Sequence, residues 1–279
     1  MSLRINHNIL AMSAHRNLMV TQRDLDQSLL RLSSGLRINS AADDPAGLAV
    51  SEKMRSQVAS MEQALRNASD AVNLLQTAEG AMAVIDEKLI RLRQLSIEAS
   101  NGTLTNGDRN LLNTEFVALK SEITRIANVT EFNGMKLIDG TYSAGTGIKF
   151  HIGINNIQNE DYYFVNIGSM TSSGLGLTSV SVTTTASAQA SLTAIDSAIN
   201  TKDTERAEMG AYINRLQNTI MNLEVSWENI SAAESTIRDA DIGLEMSNFV
   251  RAQMLMQTGV SMLAQANLVP QIVASVMGG

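Results

Sequence analysis

The chain has 279 residues and a net charge of -7, from 21 Lys and Arg against 28 Asp and Glu, which argues against nucleic acid or an anionic membrane surface as partner. Aromatic residues are only 4% and cysteine is absent, so disulfides, thiolate metal sites and cysteine nucleophiles are excluded. Its two prolines, Pro45 and Pro270, leave most of the chain free of helix breakers, and the composition reads as a long-helix protein rather than a compact enzyme.

The ends differ from the body. The first acid is Asp24 and the last is Glu245; outside them lie Arg4, Arg16, Arg23 and Arg251, giving +4 at the ends and -11 between. Ala252 to Gly279 carries no charge, yet Gln253, Gln257, Thr258, Ser261, Gln265, Asn267 and Gln271 punctuate it too often for a membrane span. Asn6, His7, Asn8 and His15 interrupt any apolar signal at the start, so no cleaved signal peptide is expected.

Leu18, Leu25 and Leu32 recur every seven residues, with Leu29 and Leu36 at the alternate position. This predicts an a/d seam broken by Gln22. Near the other end Ile242, Phe249, Met256 and Leu263 take one position, and Met246 and Val260 the other; Gln253 and Asn267 interrupt them. Neither stripe holds a helix alone, so the ends are expected to pair with each other and with neighbouring copies.

Asp44 as N-cap and Pro45 at the first helical position predict a second helix, running through apolar positions from Leu48 to Leu95 until Asn101-Gly102. At the helical rise it would be about 80 Å long. A third helix opens at Thr105, with Asp108 placed for a capping box, and continues to about Asn128. Between Phe132 and Val182, glycine turns separate the alternating runs Lys149–Ile154 and Tyr162–Ile167, which predicts small hairpins. A Ser/Thr-rich connector from Thr178 to Ser191 leads into a further helix, from about Ala188 to Ile237.

The expected fold is mainly α: a long antiparallel helical hairpin or coiled-coil bundle formed by both chain ends, with a small β-hairpin insert. Residues 1–40 with 238–279 form a terminal coiled coil in this reading, and 41–237 a helical core with the insert at about 132–185.

Catalytic readings find little support. His7, His15 and His151 lack a metal-binding spacing, and Asp43-Asp44 is explained by a helix start. Asp239 and Asp241 fit neither a metal loop nor a phosphate site, and Gly174-Leu175-Gly176 is turn chemistry. No cofactor, no metal and no enzymatic activity are expected.

The segment Arg31–Gln57, RLSSGLRINSAADDPAGLAVSEKMRSQ, closely resembles the N-terminal signature of bacterial flagellins. Similar matches are RLRQLSIEASNG at Arg91–Gly102, EFNGMKLIDG at Glu131–Gly140 and RAEMGAYINRL at Arg206–Leu216. ENISAAESTIRDADI at Glu228–Ile242 and MLAQANLVPQIV at Met262–Val273 complete the set. Departures are small: Thr236 stands where the family commonly has arginine, and the chain ends Val276-Met277-Gly278-Gly279 rather than on a leucine pair.

The resemblance implies a subunit of a hollow helical propeller, secreted to an extracellular flagellum through a type III channel. Its terminal helices would line an inner tube, and the short middle implies no large outer domains. It also implies as partners other copies of the chain, flagellar cap and hook-associated proteins, and an export chaperone at the C-terminal helices. Arg91, Leu95 and Glu115 match the family's face for a flagellin-sensing Toll-like receptor, a face that would also serve lateral contacts in the filament. A hook–filament junction protein and a periplasmic flagellin of the spirochaete kind are the alternatives.

Overall fold

The computed structural model describes residues 7–277 apart from 144 and 146, with side chains up to Leu268. In chain order the elements are α1 (Ile9–Ser34), α2 (Pro45–Ala99), α3 (Asn106–Val129), β1 (Glu131–Phe132), β2 (Met135–Lys136), β3 (Ile148–His151), β4 (Tyr162–Val165), α4 (Thr185–Arg238) and α5 (Ile242–Met277). The mainly α reading with small hairpins therefore holds.

Local chemistry explains each boundary. The Asn8 side chain accepts from the Ala11 N–H at the start of α1, and Gly35, at φ +72°, closes that helix in the left-handed region. The Asp44 carboxylate accepts from the N–H groups of Ala46 (3.1 Å) and Gly47 (2.9 Å), capping α2 with Pro45 in its first turn. A Cβ at Gly47 would lie 2.8 Å from Ile38 Cδ1 and closer still to the Asp44 carboxylate, so the cap and Ile38 would have to shift to accept a larger residue. Thr105 and Asp108 form the capping box expected for α3. Thr184 and Ser187 exchange backbone-to-hydroxyl bonds at the start of α4.

The turn between α2 and α3 is held by one buried cation. The Arg109 guanidinium donates to the carbonyls of Ala99 (2.8 Å) and Asn101 (2.9 Å), and to Asn106 Oδ1 (2.9 Å). It thereby satisfies carbonyls that the end of α2 leaves without helical partners.

The chain divides into two compact units, residues 1–56 with 229–279, and residues 57–228. In the second unit, Leu75, Met82, Ile85, Leu89, Leu92 and Leu95 of α2 pack with Phe116 and Ile123 of α3 and with Ile195, Met209 and Leu216 of α4. The insert joins this core through Leu137, Ile138, Val165 and Ile167, all fully buried. The middle of the chain is thus not a free appendage: it bonds to α2 at Asn67, to α3 at Lys120 and to α4 at Glu205.

Two-residue hairpin β1–β2 turns at Asn133-Gly134, both at positive φ, with Glu131 opposite Lys136. In the second hairpin β3 pairs with β4, Ile148 opposite Val165. Its loop folds over Asp161, whose carboxylate accepts from the N–H groups of Asn155 and Ile157, both at 3.0 Å, and is held below the usual aspartate range by those bonds.

Replacing Arg109 by Ala removes the guanidinium bonds to the Ala99 and Asn101 carbonyls that tie the end of α2 to α3. Urea denaturation should show a loss of about 1–3 kcal/mol for Arg109→Ala, with Arg109→Lys recovering only part of it.

Candidate assembly surface

Within the unit formed by 1–56 and 229–279, α1 and α5 run antiparallel with their backbones close together. The Asn8 side chain donates to the Ala266 carbonyl at 2.7 Å at one end, and Arg31 approaches Glu245 at 3.8 Å toward the other. Midway, Gly259 sits against Leu18, whose Cδ1 would lie 3.4 Å from an added Cβ.

The inward residues define two heptad rows on each helix. On α1 one row is Ala11, Leu18, Leu25 and Leu32, and the other is Ala14, Thr21, Ser28 and Gly35. On α5 they are Phe249, Met256 and Leu263, and Glu245, Ala252, Gly259 and Ala266. Each helix therefore presents one large row and one small row, apart from Glu245 and Ala11. Small residues let the backbones approach, while the large row fills the space between them.

This differs from the expected seam in its second row. Leu18, Leu25, Leu32, Phe249, Met256 and Leu263 do lie partly buried along the α1–α5 seam. Leu29 remains 54% exposed, Met246 47% and Val260 54%, one position round from the small row. Ile242 is also half exposed, and Leu36 half-buried. The leucines of the outer row suggested a seam; the structure uses the small residues beside them, which carry no hydropathy signal. Gln22, Gln253 and Asn267 fall on that outer row and are exposed, so they do not interrupt the helix pair.

Other faces stay uncovered as well. Met12 is 68% exposed and Leu10 and Met19 nearly as much on α1, with Leu244, Leu255 and Met262 similar on α5. Among the described residues no helix is long and apolar enough to cross a membrane.

The segments that lead into these helices are tied together. The Arg37 N–H donates to the Arg238 carbonyl at 2.6 Å, and Ala240 N–H to the Gly35 carbonyl at 2.9 Å, a short antiparallel bridge. The Arg37 guanidinium adds a bond to the Ile237 carbonyl, and Arg238 pairs with Glu52 at 2.8 Å. Asp43 clasps the intervening loop: its carboxylate accepts from the N–H and hydroxyl of Ser40 and the N–H of Asn39, which hold it below the usual aspartate range. The Asp43-Asp44 pair thus splits into a loop clasp and a helix cap.

In the 57–228 unit, Arg91 and Glu115 form a fork across α2 and α3, with Nε–Oε1 at 2.7 Å and Nη2–Oε2 at 3.1 Å. The bond holds the Glu115 carboxyl below the usual glutamate range. Leu95 is not on this surface. It is fully buried in the core, because the apolar face of α2 turns inward at Leu92, Leu95 and Ala99. Of the three face residues named from the sequence, only the charged pair is presented to solvent. Neighbouring Leu111, 74% exposed, is the most exposed of the apolar side chains α3 presents, with Val117 and Val129 about half exposed, and no heptad pattern singled it out.

Among the described residues no group of three His, Asp or Glu side chains is placed to hold a metal. His151 stacks on Tyr162 across the second hairpin, and His7 and His15 are exposed.

The family model for the bacterial flagellin N-terminal helical region matches residues 5–143, and that for the C-terminal helical region matches 192–277. The chain belongs to the flagellin family. A flagellin of Halalkalibacterium halodurans is 41% identical over 98% of this chain and 99% of its own length. A flagellin of Treponema pallidum is also 41% identical, over the same shares of the two chains. A structure assigned to a flagellar hook-associated protein of Vibrio parahaemolyticus shares the fold, with a TM-score of 0.59 over 71% of this chain and all of its own, at 17% identity. As a flagellin, the protein is a structural subunit of the bacterial flagellar filament and not an enzyme.

The burial of Leu95 and the exposure of Arg91 separate stability from surface. Leu95→Ala should lose about 2–5 kcal/mol in denaturant unfolding, while Arg91→Ala leaves the unfolding midpoint nearly unchanged. Because the folded Glu115 carboxyl titrates low, its pairing with Arg91 is complete above the ordinary glutamate value of 4.5 and is lost as pH falls through the depressed value. Carbon-detected NMR should place the Glu115 midpoint below 4.5, and Arg91→Ala should move it back up.

Proposed function

We propose that the subunits assemble through the uncovered faces of α1 and α5, residues 1–40 and 238–279 forming an inner tube and 41–237 the helical wall around it. The observation that carries this reading is the outer apolar row. Leu29, Met246 and Val260 stay about half exposed although their helices already have a partner. Burying one such side chain fully contributes about 1.5–3 kcal/mol, so a few per contact drive polymerisation. The near-absence of charge along α5 supports the same reading, since a helix apolar on several faces needs neighbours on several sides.

The same surfaces would receive the flagellar cap and hook-associated proteins at the filament ends. Before assembly, α5 would lie as an apolar helix in the groove of an export chaperone. The filament is placed outside the cell in this reading, after type III export. The fork of Arg91 and Glu115, with Leu95 bracing it from below, would serve lateral contacts in the filament and a host Toll-like receptor on the free subunit.

Truncation and substitution test the assembly reading. Removing residues 1–36 or 246–279 should leave a helical chain that sediments as a monomer under conditions where the full chain polymerises. Leu29→Ser combined with Val260→Ser should raise the critical concentration by about ten-fold or more, since each ten-fold step needs only about 1.4 kcal/mol. Filaments of ordinary diameter from either truncated form would reject the reading.

A further inference from the structure

Within the 57–228 unit, α2 and α4 are joined by polar contacts spaced along their length. Glu79, Asp86 and Arg93 recur every seven residues on α2, and α4 answers with Arg206, Lys202 and Asp196 in antiparallel order. Arg206 forks onto Glu79, with Nε 3.2 Å from Oε1. Lys202, its side chain 2% exposed, donates Nζ to Asp86 and, at 2.7 Å, to Asp203. Arg93 Nε lies 2.7 Å from Asp196 Oδ1. Beyond them the buried hydroxyls of Ser96 and Ser191 meet at 2.9 Å.

Buried or half-buried ion pairs are weak sources of stability, because well-packed apolar residues of similar volume often do as well or better. Their strength lies in discrimination. The core that α2 and α4 share also holds aliphatic groups such as Leu75, Ala78, Met82, Ile195 and Ala198, which would accept a shifted partner. The charges would not. A one-turn slip carries Lys202 opposite Met82 in one sense and Ile90 in the other. A slip of a full heptad carries it opposite Arg93 in one sense. In the other it gives Lys202 a new partner in Glu79, but sets Asp86 against Ile195 and Arg206 against Val72. Each displaced setting strands a charge on apolar surface or opposes two cations.

We propose that the three cross-helix ion pairs of the 57–228 unit, Glu79–Arg206, Asp86–Lys202 and Arg93–Asp196, form a register lock that holds α2 and α4 at one axial setting, alongside the Glu52–Arg238 pair that the same two helices make in the terminal unit. Two helices of 55 and 54 residues have many aliphatic settings close in energy, and the lock selects one. The unit then keeps a fixed length under axial load.

The absence of cysteine allows the register to be trapped directly. Ser96→Cys with Ser191→Cys reports the native setting under mild oxidation, and Ser96→Cys with Ser187→Cys reports a one-turn slip. In the otherwise unaltered full-length chain only the first pair should cross-link. A ladder made apolar by Glu79→Met, Arg206→Met, Asp86→Leu, Lys202→Met, Arg93→Met and Asp196→Ala, with Glu52→Met and Arg238→Met added to remove the fourth α2–α4 pair, should remain helical, with the ratio of slipped to native cross-link raised about ten-fold or more. Reversing all three pairs together should restore the parent ratio. An unchanged ratio in the apolar ladder would overturn the proposal. Loss of the fold in that variant would also overturn it, since the pairs would then be holding the unit together rather than choosing its register.

Discussion

Everything in this molecule follows from the fact that helices of this length carry more apolar surface than one chain can cover. A helix of 55 residues is about 80 Å long. In the 57–228 unit, α2 finds α3, α4 and the insert to cover its inner face, and the result is a core with Leu75, Met82, Leu89, Leu92 and Leu95 fully buried. In the terminal unit, among the described residues, α1 and α5 pack chiefly on each other. They solve part of the problem with a narrow, close seam built on Ala14, Thr21, Ser28, Ala252, Gly259 and Ala266. A close seam covers little width, and the large apolar side chains to either side of it are left facing outward. The proposed assembly through these faces would cover what the seam leaves exposed.

Polar groups do a different task in each unit. At the terminal seam they sit at its ends: Asn8 on the Ala266 carbonyl, Arg31 near Glu245, and the paired strands around Arg37 and Arg238. They decide where the helices begin and how the two linker segments meet. In the core unit they lie along the helices and inside the turn. Arg109 closes the α2–α3 corner, and Lys202 stands buried between two acids. A burial as complete as that of Lys202 costs desolvation energy that two carboxylates must offset. Such groups constrain geometry more than they add stability.

Family membership fits this division. The regions that match the flagellin models, 5–143 and 192–277, contain most of both units' long helices, and the unmatched stretch between them covers the rest of the insert and the first two turns of α4. Yet that stretch contributes Val165, Ile167, Met170 and Leu177 to the core. That stretch is therefore tied to the core by its apolar inner face.

The sequence by itself determined the helices and their ends, because those depend on neighbours a few residues away. Asp44 before Pro45, Thr105 with Asp108, and Asn133-Gly134 are local signals, and each element begins or turns where they stand. It also determined the large row of the seam, Leu18, Leu25, Leu32 and Phe249, Met256, Leu263, since a seven-residue repeat of bulky side chains is visible without a partner. Only the tertiary structure decided which neighbouring row completes that seam. Alanine, serine and glycine give no hydropathy signal, and their value appears only when a second backbone approaches. The same holds for Leu95. Spacing alone put it on one face with Arg91, one turn away, but a helix turns about 100° per residue and the boundary between buried and exposed runs between them. That boundary is set by where α3 and α4 pack, which no short stretch of sequence encodes.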